Sequence, residues 1–220
     1  MYSYLHKRSY GFDFETTSDT EVVLKAYQQW DTRCFAQFDG MFAGAVLHIT
    51  TGKLVLFRDH LGQKPLYYFH DDGNLIFSSE LRALASLPGF DWHLSHENFY
   101  RYIANSYYGL DSTPIKGIKK LSPGHFLEVS KNNALLGKYW ESIPGENPLS
   151  LKYDDAIQRC NELIDRSCKL SMRSDVPYGV LLSGGIDSSI LMQSCLKQDS
   201  GTRAFSVSIK DGEYDELDKV

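Results

Sequence analysis

The chain has 220 residues, 42% of them hydrophobic and 23% charged, with a formal net charge of -5 at pH 7. That is the balance of a soluble globular protein with one large domain or two modest ones. The acidic balance and the scattered Lys and Arg exclude a nucleic-acid stripe, and apolar runs such as 41–47 are too short to span a bilayer.

The opening residues lack the apolar core of a signal peptide. Four cysteines (Cys34, Cys160, Cys168, Cys195) share no CxxC spacing, so neither a metal cluster nor a disulfide framework is indicated. Free thiols suit a reducing compartment, and a cytoplasmic location is expected.

In chain order, Ser18-Asp19-Thr20-Glu21 has the form of a capping box. Val22, Val23, Ala26, Tyr27 and Trp30 follow at helical spacing. The runs 41–49 and 53–57 are β-rich and join at Thr51-Gly52, a hairpin signal. A second hairpin is predicted from 66–70 and 74–78, turning at Asp71-Asp72-Gly73. Helices are expected from Ser79 into 80–87 and from Ser95 into 96–105. A strand over 125–129 follows the Ser122-Pro123-Gly124 turn. The expected fold for 1–143 is an α+β layered domain on antiparallel strands.

Pro and Gly crowd the segment Ile143-Pro144-Gly145-Glu146-Asn147-Pro148, which is expected to be a linker. Beyond it, 154–172 predicts an amphipathic helix with Ala156, Ile157, Cys160, Leu163, Ile164 and Cys168 on one side. The run 178–182 is short, apolar and unalternated, as in a strand buried on both faces. A Gly-rich turn, a helix over 189–197 and a strand over 204–209 complete a βαβ unit. Residues 151–220 are therefore expected to open an α/β doubly wound, parallel-sheet domain.

The string Ser183-Gly184-Gly185-Ile186-Asp187-Ser188 sits between that strand and its helix. Two glycines let backbone amides turn inward, and the helix presents its free N-terminal amides and positive dipole end at the same point. Serine hydroxyls add donors, giving a cradle for a pyrophosphate or polyphosphate. Asp187 would repel bound phosphates unless it holds Mg²⁺ between its carboxylate and their oxygens. No GxxxxGK[ST] or GxGxxG pattern occurs here. The competing interpretation is a tight turn whose serines cap the next helix.

The string resembles the SGGxDS pyrophosphate loop of the N-type ATP pyrophosphatases. The longer stretch 173–183 resembles the glutamine-dependent asparagine synthetases. Further segments resemble the same family in the same order: Phe38-Asp39-Gly40-Met41-Phe42-Ala43, the run 58–68 beginning Arg58-Asp59, Ser78-Ser79-Glu80 with Ala83-Leu84, Phe205-Ser206-Val207, and Tyr214-Asp215-Glu216.

The resemblance implies an Ntn-hydrolase-like, class II glutamine amidotransferase domain over 1–143 and an ATP-pyrophosphatase domain beginning in 151–220. It implies adenylation of the aspartate side chain by ATP with Mg²⁺, then attack by ammonia drawn from glutamine. On the matching positions, Ser183, Gly184, Gly185, Asp187 and Ser188 would hold the pyrophosphate. Asp187 would take Mg²⁺, and Leu182 and Val207 would contact adenosine. Asp19 would bind the glutamine ammonium; equally, it is an acid stabilising a helix N-terminus.

The family's N-terminal cysteine nucleophile has no counterpart, since the chain starts Met1-Tyr2-Ser3 and its first cysteine is Cys34. Arg33 beside Cys34 would lower a thiol pKa, but no partner His is identifiable and Cys34 is not assigned to catalysis. His60 and His125 are expected in turns or packing, and Arg58-Asp59 as a structural ion pair. The expectation is a piece of a longer ligase, without glutaminase activity, poorly soluble alone, and working as a homodimer or with a complementing chain. The alternatives are a related ligase amidating a β-lactam precursor or a surface polysaccharide, or a non-catalytic remnant.

Overall fold

A computed structural model describes residues 14–71, 74–90, 92–131, 133–142 and 149–207. The chain divides into two compact units, Met1–Ile143 and Pro144–Val220. The expected linker at 143–148, the Tyr2 and Ser3 positions and the Tyr214-Asp215-Glu216 match lie outside the described residues.

In the first unit, helix α1 (Asp19–Trp30) begins where the Ser18 hydroxyl accepts from the Thr20 amide. The reciprocal half of the capping box does not form. Thr16 Oγ1 already accepts from the Ser18 amide, so the Glu21 carboxylate reaches further back, to the Glu15 and Thr16 amides at 2.9 and 2.7 Å. Val22, Ala26 and Tyr27 are buried, with Val23 and Trp30 packed beside them. A 3-10 helix (Asp31–Gln37) then buries Cys34 and Phe35 completely.

Strands β1 (Ala43–His48) and β2 (Lys53–Arg58) form the expected hairpin, with Gly52 at φ +68 in its turn. Strands β3 (Tyr67–Asp71) and β4 (Asn74–Ser78) form the second, with Asp71 opposite Asn74. Asp71 is therefore the last residue of β3, and the other two residues of the expected turn, Asp72-Gly73, lie outside the described residues. Helix α2 (Leu81–Ala85) starts later than expected, because Glu80, not Ser79, is its N-cap. Helix α3 (His96–Asn105) has the predicted bounds, capped by Ser95.

Strands β5 (Ile118–Lys120), β6 (His125–Ser130) and β7 (Asn133–Lys138) complete two antiparallel sheets, β1-β2-β6-β7 and β4-β3-β5. Strand alternation decides the layering. Val55 and Phe57 turn to α1 and the 3-10 helix, where Phe57 stacks on Phe35 at 4.5 Å. Leu54 and Leu56 turn the other way, joining Leu127, Tyr68 and Leu121 between the sheets. Tyr67 and Phe69 then face Leu84 of α2. The stack is helix, sheet, sheet, helix: the antiparallel α+β layering expected of an Ntn-hydrolase-like domain.

The second unit contains α4 (Tyr153–Ser171), β8 (Gly179–Leu181), α5 (Ile186–Gln198) and β9 (Arg203–Phe205), with β8 and β9 parallel. This is the α/β order expected. The burial of β8 is not: Leu181 is 78% exposed, because the described residues give β8 one neighbouring strand. The apolar side of α4 is likewise open at Ile157, Cys160 and Leu163, and only Cys168 is buried. Helices α4 and α5 are joined by the Ser194 hydroxyl on Asp165 at 2.6 Å and by Lys197 on the same carboxylate. No helix among the described residues is long and apolar enough to cross a membrane.

Candidate functional site

The bend between β8 and α5 is built from backbone pairing at one end and hydroxyl bracing at the other. The Leu182 amide donates to the Phe205 carbonyl at 2.8 Å, carrying the parallel ladder one residue past β8. The Ser206 hydroxyl closes on the Leu182 carbonyl at 2.7 Å, so 182 and 206, each just beyond its strand, lie side by side. Val207 is 82% exposed there.

The chain then reverses at Gly184, whose φ of +79 is strained for any residue with a Cβ. Gly185 is the N-cap of α5, and its carbonyl accepts from the Ser189 amide and from the Ser188 and Ser189 hydroxyls. The Ser183 hydroxyl accepts from the Gly185 amide at 3.4 Å, and its own amide donates to Ser188 Oγ at 3.3 Å.

Ser183 and Ser188 thus hold the bend shut from both sides, while the first-turn amides of α5 have no carbonyl one turn earlier to occupy them. Outward-facing amides at a positive helix end make an anion site. The serines do cap and brace, as the competing interpretation holds, and that bracing fixes the amides in place.

Asp187 is exposed in the first turn of α5. Among the described residues no group of three or more His, Cys, Asp or Glu could hold a metal by itself. One exposed carboxylate fits a cation that takes its remaining oxygens from phosphates and water, which is how Mg²⁺ is commonly bound.

Asp19 is exposed in the first turn of α1, in the other unit. Cys34 is completely buried in the 3-10 helix. Burial pushes its thiol up to about 12, and the nearby Asp31 carboxylate adds to the rise, so Arg33 does not activate it. His60 packs edge-on against Phe42, Tyr139 and Trp140, and the His125 ring sits 2.7 Å from the Pro123 carbonyl.

Arg58 and Asp59 are not held by one another. The guanidinium donates to the carbonyls of Gly62, Lys64 and Leu121. The carboxylate accepts from the amides of Phe42, Leu61, Gln63 and Lys64. The sequence hinted at that role only through Gly62, which takes φ +66 within the loop they organise.

Known families bear on both units. Residues 2–140 match the glutamine amidotransferase domain model, and residues 159–220 match the asparagine synthase model. Asparagine synthetase [glutamine-hydrolyzing] 3 of Bacillus subtilis is 32% identical over 84% of this chain and 30% of its own length. Asparagine synthetase [glutamine-hydrolyzing] 1 of the same organism is 29% identical over 99% of this chain and 35% of its own. The chain thus spans about a third of the length of these relatives. Among solved structures, a glutamine phosphoribosylpyrophosphate amidotransferase from B. subtilis matches over 91% of this chain and 42% of its own at 14% identity. Its TM-score of 0.40 is too slight to bear on the fold. With both family models matched in order along the sequence, the chain belongs to the glutamine-dependent asparagine synthetase family.

Proposed function

We propose that the bend 182–188 grips the phosphates of ATP for an aspartate-amidating ligase of this family. The observation that carries it is the braced diglycine turn: Gly184 at φ +79 leads into the open amides of α5, with Ser183 and Ser188 locking the geometry. Pyrophosphate leaving from ATP gathers negative charge, and fixed amide donors aimed at that charge stabilise it without having to reorganise. Ser183, Gly184, Gly185 and Ser188 form the cradle in this reading.

Asp187 would hold Mg²⁺ against the phosphate oxygens, and the ion would neutralise charge building on the leaving group. Leu182 and the exposed Val207, which follow the ends of the paired strands β8 and β9, would form the apolar wall for adenosine. The carboxylate activated would be the aspartate side chain, amidated by ammonia from glutamine. Asp19, exposed at the start of α1, would meet the glutamine ammonium. The four free thiols support a reducing, cytoplasmic setting.

Isothermal titration of the 220-residue chain with ATP and Mg²⁺ tests the proposal. Saturable binding that also requires Mg²⁺ is expected. Absence of binding at millimolar ATP would remove the nucleotide reading.

A further inference from the structure

Leu182, the residue that leads into the bend, is tied to the end of β9 through both of its backbone polar groups. Its amide donates to the Phe205 carbonyl at 2.8 Å, and its carbonyl accepts from the Ser206 hydroxyl at 2.7 Å. The paired strands stop at Leu181 and Phe205. Just beyond them, a side chain takes the carbonyl that a parallel ladder would give to a backbone amide.

Satisfying that carbonyl does not require Ser206. The contact is exposed, and water would donate to the same oxygen in its place. What the hydroxyl adds is position, because it ties Leu182 to the residue bonded to the exposed Val207. The braces of the bend itself do not include Ser206: Ser183, Gly185 and Ser188 bond to one another.

We propose that Ser206 is a positioning residue that sets the adenosine side of the nucleotide site against its phosphate side. On the nucleotide reading, on which this assignment rests, the bend alone grips pyrophosphate. A whole nucleoside triphosphate also needs Leu182 and Val207 held in place, and Ser206 is the link between them. Removing its hydroxyl frees that wall and leaves the cradle braced.

The test is calorimetric titration of the 220-residue chain with ATP and with inorganic pyrophosphate, each with Mg²⁺, in wild type, Ser206→Ala and Ser206→Thr. With one hydrogen bond lost, Ser206→Ala should bind ATP about five- to tenfold more weakly and pyrophosphate within about twofold of wild type. The retained pyrophosphate binding also shows that this variant is folded. Ser206→Thr keeps the hydroxyl and should return ATP to near the wild-type affinity. Wild type that fails to bind ATP would remove the nucleotide reading, and this assignment with it. Where wild type does bind ATP, undiminished affinity in Ser206→Ala would overturn the assignment alone. So would ATP binding without pyrophosphate binding in wild type, an equal loss of both ligands in Ser206→Ala, or no recovery in Ser206→Thr.

Discussion

The hydroxyls of Ser183 and Ser188 meet 3.1 Å apart across the diglycine bend, tying the strand side of the turn to the helix side. Ser188 also binds the Ser183 amide and the Gly185 carbonyl, so its hydroxyl is the hub of the bend. Ser188→Ala removes that hub at a cost of about 1–2 kcal/mol for the lost hydrogen bonds. ATP affinity should fall by roughly tenfold, since 1.4 kcal/mol is a factor of ten. Ser188→Thr keeps the hydroxyl and should restore most of the affinity in the same titration.

Asp59 gathers four backbone amides into one buried carboxylate. Asp59→Ala would strand them, and each buried donor left unpaired costs about 1–3 kcal/mol. The first unit should lose several kcal/mol, visible as an earlier urea midpoint. Asp59→Asn keeps one acceptor oxygen and should lose clearly less. Equal midpoints for Asp59→Ala and wild type would show that the loop does not depend on this carboxylate.

The thiols should separate by burial. Cys160 is exposed, whereas Cys34, Cys168 and Cys195 are buried. Burial raises the thiols of Cys34 and Cys195, and the thiolate is the reactive form. Native alkylation with iodoacetamide at pH 8, followed by peptide mass spectrometry, should label Cys160 at least tenfold faster than Cys34. Fast labelling of Cys34 would contradict its place in the core.

His60 supplies a pH dependence with a definite sign. Packing among Phe42, Tyr139 and Trp140 removes water from the ring and holds its pKa below the ordinary 6.5, outweighing the opposing pull of Asp59 and Asp39. Between the folded value and 6.5 the unfolded chain binds more protons than the folded one, so stability falls as pH drops through that window. Below the folded value the loss levels off. In urea unfolding at pH 7.5 and 5.5, His60→Phe should show a smaller drop than wild type. An equal drop would show that His60 does not contribute.

Local signals made much of this fold legible. Ser18 and Ser95 mark the starts of α1 and α3, and Thr51-Gly52 marks the first hairpin, because caps and tight turns are chosen by residues a few positions apart. The bend at 182–188 was legible for the same reason: the donors, glycines and helix start that it needs are consecutive.

What escaped the sequence depends on distant partners. Strand β5 has three residues, and β7 carries Leu135 and Leu136, both 54% exposed, so neither shows an inward–outward alternation. Arg58 reaches the Leu121 carbonyl 63 positions away, which no reading of adjacent charges can show. The exposure of Leu181 follows from how many strands flank β8, not from its own apolar sequence.

The most direct measurement follows backbone amide resonances of the chain by NMR while inorganic pyrophosphate and Mg²⁺ are added. The largest shifts should fall on Gly184, Gly185, Ile186, Asp187 and Ser188. They should vanish in Gly184→Ala, where φ +79 costs an L-residue about 1–2 kcal/mol and the turn must open. Pyrophosphate that leaves these amides unmoved, or that shifts them equally in Gly184→Ala, would contradict the claim that this bend is a phosphate cradle.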